Sequence, residues 1–130
     1  EILSPSGGSN WKANDMSMVI KFTYGKTSFL FTGDIEEDGT EGILKKHIDC
    51  DVIKIPHHGG ENDKSSLLAE KVKAKYAVIS CGENNSYGHP HKDTLKDFKK
   101  SGAKIYRTDK DGAISFTIDK KDIIKIEKMR

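Results

Sequence analysis

No stretch of this sequence is apolar for long enough to span a bilayer, and nothing near its start has the basic opening and long apolar run of a secretory leader. Cysteine is scarce: Cys50 and Cys81 stand alone, with no C-x-x-C partner, so neither a disulfide framework nor a cysteine zinc motif is present. Both sit at the ends of apolar runs and read as small, buried residues. Proline occurs only three times, and no low-complexity tract, internal repeat or interdomain linker interrupts the 130 residues. That length suits one hydrophobic core and is too short for two ordinary ones. The first residue is Glu1 rather than methionine, so residues 1–130 are expected to be a single domain or a fragment of a longer chain.

Charge of one sign is also lacking. The 22 basic and 20 acidic residues leave +2, which gives no general drive toward nucleic acid or an anionic membrane. Any polyanion preference has to be local. The C-terminal third holds the most cations, among them Lys99, Lys100, Lys104, Arg107, Lys110, Lys120, Lys121, Lys125 and Lys128. Asp109, Asp111, Asp119, Asp122 and Glu127 dilute them, and the segment reads as a solvated mixed surface.

What remains is a regular alternation of strands and helices. The β-branched and aromatic runs 18–24 and 28–32, joined at Gly25-Lys26, predict a β-hairpin. Residues 36–47 predict a helix, with acidic groups early and Lys45, Lys46 and His47 late, as the helix dipole favours. A strand over 51–56, a helix from about Ser65, a strand over 76–80 and a helix over 92–100 stopped by Gly102 follow. Strands over 104–107, 112–118 and 123–126 are expected to form a sheet edge. The fold class is α/β.

Chemistry-bearing residues collect where three of these strands end: Thr32-Gly33-Asp34, then Pro56-His57-His58-Gly59-Gly60, then Tyr87-Gly88-His89-Pro90-His91. Ligand sites in such sheets gather at strand ends. A carboxylate beside several imidazoles suits zinc or manganese, and the neighbouring glycines let the backbone approach a ligand closely. Each piece alone is ordinary. Four of the five histidines falling in two strand-end loops is not.

These motifs, together with Phe29-Leu30-Phe31 before Thr32, Asp51 to Ile55 before Pro56, Val78 to Gly82, Asn85, and Arg107 to Gly112, resemble the metallo-β-lactamase superfamily. Within it they are most like the metallo-hydrolase domain of ComEC-type bacterial competence proteins. The resemblance runs from about Leu3 to Ile118. It implies the C-terminal half of an αββα sandwich whose complete site holds two divalent ions, Zn or Mn, and hydrolyses its substrate with metal-activated water. Asp34, His57 and His89 are then metal ligands, with Asp34 bridging. His57 and His58 are catalytic, and His58, Gly59 and Asn85 contact substrate. Which of the paired histidines takes an ion stays open. The ComEC-type branch implies a phosphodiester or nucleic-acid substrate and is compatible with a location outside the cell membrane.

Two departures qualify this. The superfamily's His-x-His-x-Asp-His signature belongs before the Gly-Asp motif, yet only 33 residues precede Asp34 and none is a histidine. The usual serine after His-His-Gly is Gly60. The chain by itself is therefore expected to hold at most one ion, weakly, to be inactive alone, and to need the missing N-terminal half as partner. The alternative is a non-catalytic ligand- or nucleic-acid-binding module on the same fold. The run His89-Pro90-His91-Lys92-Asp93 mimics the signature but lies on the wrong side of Asp34; His91 and Asp93 read as loop and helix-start residues.

Overall fold

Each apolar run becomes a strand, and each amphipathic segment a helix. The computed structural model describes residues 1–5 and 10–130. Its strands are β1 (Ile2–Ser4), β2 (Val19–Tyr24), β3 (Thr27–Phe31), β4 (Val52–Lys54), β5 (Tyr76–Ile79), β6 (Lys104–Arg107), β7 (Ile114–Ile118) and β8 (Ile123–Lys128). Its helices are α1 (Glu37–Leu44), α2 (Ser65–Val72), α3 (Lys92–Lys100) and the single turn α4 (Thr108–Asp111). The fold is α/β.

Strands β1 to β6 form one sheet in sequence order, antiparallel from β1 to β3 and parallel from β3 to β6. In a parallel sheet built in one direction, successive right-handed crossovers place their helices on the same face. Leu30, Ile53, Ala77 and Ile79 point to that face and bury completely against Ile43, Leu68, Val72 and Phe98 of the three helices. The topology also sends the C-terminal ends of β3, β4 and β5 to one edge. Asp51 locks β3 to β4 below that edge, accepting from the Ser28 amide at 2.9 Å and pairing with Lys75 at 3.2 Å. Burial opposes its ionisation, but these donors outweigh it and hold the carboxyl below its ordinary range.

The last two strands depart from expectation. Instead of extending the sheet edge, β7 and β8 pair with each other and lie across the second face of the sheet. Phe116 of β7 holds them there, with its ring 6.1 Å from Phe29, 5.9 Å from Tyr76 and 6.2 Å from Tyr106. Gly25 marks the other end of this packing. A Cβ on it would sit 2.2 Å from the Lys120 carbonyl oxygen, so the β2–β3 turn admits no side chain there. The hairpin covers only part of the face: Phe22 and Phe31 remain 50% and 47% exposed.

Candidate metal centre at the strand ends

Asp34, His57, His58 and His89 come from three loops, and the fold brings them together. His57 and His58 both adopt left-handed backbone conformations, with φ of 48° and 56°. Residues with a Cβ hold this region at a cost of the order of 1 kcal/mol each and do so where surrounding contacts impose it. Those contacts are present. The His57 amide donates to the Gly33 carbonyl at 3.2 Å, the Gly60 amide to the His57 carbonyl at 2.8 Å, and the His91 amide to the Gly59 carbonyl at 2.8 Å. The Thr94 hydroxyl of α3 donates to the Gly60 carbonyl at 2.9 Å. Gly59 itself has φ of 78°, and a Cβ on it would lie 2.7 Å from the Pro90 ring, so the two loops meet there without room for a side chain.

The histidine rings form a cluster. The centroid of His89 lies 5.3 Å from that of His57 and 6.4 Å from that of His58, against which it stacks. His58 Nδ1 is 2.7 Å from the Ser80 carbonyl oxygen, which can only accept, so Nδ1 carries a proton. In the neutral ring the lone pair is then on Nε2, the tautomer a metal ligand requires. That Nε2 lies 3.7 Å from Asp34 Oδ1. Two electron-rich atoms therefore face one another across a gap that a cation would bridge. His89 is held below the ordinary histidine pKa, first by burial and then by His57, His58 and His91, which keeps its ring neutral at pH 7 with one nitrogen free of a proton. Gly60 leaves space where it matters: a Cβ on it would be 2.9 Å from His89 Nε2 and 3.2 Å from His57 Nδ1.

Donor chemistry thus suits a borderline divalent ion, while closure does not follow. Among the described residues, no group of three or more histidine, cysteine, aspartate or glutamate side chains is arranged to enclose a metal. The donors stand in pairs and on one side.

Several residues that shape the site escaped the sequence reading. Glu36 Oε1 lies 3.8 Å from His57 Nδ1. Its carboxyl is pushed below the usual range chiefly by the Asn14 amide, which donates at 2.8 Å, with Lys12 and His57 adding to this against the effect of burial. Ser17 Oγ accepts from the Asp34 amide at 3.1 Å and fixes the Gly-Asp turn from a distant segment. Lys54, at the end of β4, is largely desolvated, which lowers its pKa while Asp34 pulls in the opposite direction. Asn85, expected at the substrate, has both ends of its amide on the backbone of its own loop: Nδ2 donates to the Gly82 and His89 carbonyls and Oδ1 accepts from the His89 amide. It positions His89. His91 precedes α3 and Asp93 lies in its first turn, the loop and helix-start places read for them. Cys50 is buried with its thiol pushed up to about 12, a structural residue rather than a nucleophile.

No family model and no solved structure matches the chain. Among curated proteins, 117 residues covering 88% of it are 32% identical to ComE operon protein 3 of Bacillus subtilis. All of it aligns, at 31% identity over 133 residues, with Competence protein ComA of Neisseria gonorrhoeae. The chain is similar to bacterial competence proteins. A third relative, Recombination protein 2 of Haemophilus influenzae, is 29% identical over 114 residues, or 88% of the chain. These competence relatives are much longer: the chain spans 15% of the Bacillus protein, 19% of the Neisseria protein and 14% of the Haemophilus protein. Among the described residues, no helix is long and apolar enough to cross a membrane.

Proposed function

We propose that Asp34, His57, His58 and His89 form one side of a divalent-metal site in a hydrolase of metallo-β-lactamase type, acting on phosphodiesters within a competence protein. The observation that carries this reading is the 3.7 Å approach of His58 Nε2 to Asp34 Oδ1, with Nδ1 of the same ring committed to the Ser80 carbonyl. Zinc or manganese bound here would supply Lewis acidity and bring the pKa of a bound water toward 7. Asp34 and His58 would hold one ion from this side, and His89 with His57 would present donors across the space left by Gly60. Glu36 orients His57, Asn85 fixes the backbone of His89, and Ser17 fixes that of Asp34.

Ligands on one side leave the site open, whereas a catalytic zinc has three protein ligands and a water. A segment outside residues 1–130 supplies the remaining donors in this reading. The uncovered second face of the sheet, with Met18, Phe22 and Phe31 about half exposed, is where it would pack. Residues 1–130 alone then hold one ion weakly and turn over little or nothing.

Hydrolysis of a small chromogenic phosphodiester by the complete protein tests this. Activity is expected to vanish on chelation and to return with Zn²⁺ or Mn²⁺. Undiminished turnover after exhaustive chelation would overturn the metal-dependent reading, and binding without turnover at any metal concentration would move the assignment to a non-catalytic module on the same fold.

A further inference from the structure

The ladder between β5 and β6 ends at Ile79 and Arg107, and the next residue after β6, Thr108, opens the turn α4. Beyond that point a side chain takes over from the backbone. Thr108 Oγ1 accepts from the Cys81 amide at 2.9 Å and donates to the Cys81 carbonyl at 2.8 Å. One hydroxyl thereby satisfies both backbone groups of a residue that the sheet no longer pairs. The hydroxyl is itself held in place. Arg107, just before it, donates its amide to Asp111 at 2.9 Å and forks its guanidinium onto Asp109 at 3.0 and 2.6 Å.

The Cys81 amide and the Ser80 carbonyl belong to one peptide unit. That unit is trans and planar, so its N–H and C=O point in opposite directions and turn together. With the N–H directed at Thr108, the carbonyl faces His58, whose Nδ1 lies 2.7 Å away. His58 depends on this acceptor, because its side chain is 49% exposed and, among the described residues, its ring makes no other hydrogen bond. We infer that Thr108 is a positioning residue for the candidate metal centre, acting through the 80–81 peptide to hold His58 as the Nδ1–H tautomer with Nε2 toward Asp34. Hydroxyl, peptide and imidazole form a chain of hydrogen-bonded groups in which each polarises the next. The hydroxyl itself touches neither ring nor carboxylate. The inference rests on the metal-site reading for its consequence, but the tautomer it describes exists without metal.

Two measurements on the complete protein test it. The first is the ring ¹⁵N spectrum of His58 in metal-free, histidine-labelled protein at about pH 8, where an ordinary imidazole is neutral. Its signals are identified by their absence from His58→Gln. Wild type is expected to show one tautomer, Nδ1–H. Thr108→Val keeps the shape and removes the hydroxyl, and it should show a mixture of tautomers, as should the smaller Thr108→Ala. The second measurement is the Zn²⁺ dissociation constant, by competition with a chromophoric chelator. It should rise about tenfold in Thr108→Val, the lower end of what losing a partner behind a metal ligand costs. Thr108→Ser retains the hydroxyl and should restore both, which separates the orientation of His58 from folding, followed by urea midpoint. A single Nδ1–H tautomer in the valine and alanine variants, unchanged Zn²⁺ affinity in both, or failure of serine to restore either readout would overturn the inference. A tautomer that follows the hydroxyl in protein that hydrolyses nothing would uphold it while the hydrolase reading failed.

Discussion

Replacing Asp34 by alanine is expected to lower metal-dependent phosphodiester hydrolysis by the complete protein about 1000-fold or more, with little change in stability. The magnitude follows from the place of the carboxylate. Among the described residues no other carboxylate pairs with His58 Nε2 within 4 Å, and charge stabilisation by one fixed group at a reacting centre is worth about two to three orders of magnitude, more when the group also holds an ion. Stability should be nearly unaffected because the side chain is 46% exposed and the turn is fixed through its backbone, by Ser17. Asp34→Asn keeps the shape and removes the charge, so it should be almost as inactive. Turnover and urea midpoints measured on the same preparations separate the two effects. A variant that loses activity only in proportion to its loss of folded protein would deny the residue a chemical role.

Asp15→Ala should do the reverse. Asp15 is 1% exposed, and its Oδ1 accepts from the amides of Glu36 at 2.7 Å and Gly39 at 2.8 Å. Helix α1 has no side-chain cap of its own at Glu36, so a carboxylate some 20 residues earlier in the chain fills that place, where it also complements the helix dipole. Gly39 is what lets it approach, since a Cβ there would come within 2.9 Å of the same oxygen. Alanine would leave two amides without an acceptor in a site closed to water, a loss of about 3 kcal/mol. Asp15→Asn retains an oxygen and should lose less. Urea denaturation reads this as a lower midpoint at unchanged slope. A shift of less than about 1 kcal/mol would mean that water or another group replaces the cap.

Much of this architecture was legible because alternation along a strand and repetition along a helix are local. The strand, loop and helix series, the convergence of Asp34, His57, His58 and His89 on one edge, and the burial of Cys50 all follow from patterns within about ten residues. Asp15 and Glu36 were not legible: each acts on a residue more than 20 positions away, and nothing local distinguishes Asp15 from any other turn aspartate. Lys54 was hidden inside an apolar run. The β7–β8 pair shows another limit. Alternation says that one face of a strand is buried but not against what, and the ring of Phe116 found a partner surface on Phe29, Tyr76 and Tyr106 rather than a place at the edge. Read along the chain, the C-terminal charges look mixed, and several are paired, as Lys128 is with Asp111 and Lys125 with Glu127.

The account stands on the claim that Asp34 and the three histidines are metal donors awaiting the rest of their shell. Equilibrium dialysis against Zn²⁺ followed by elemental analysis tests it directly, on the complete protein, on residues 1–130 and on the Asp34→Ala and His58→Ala forms of the complete protein. Two tightly held ions are predicted in the complete protein, at most one weak ion in residues 1–130, and at least one ion lost in each variant. Full metal content in both variants would contradict it.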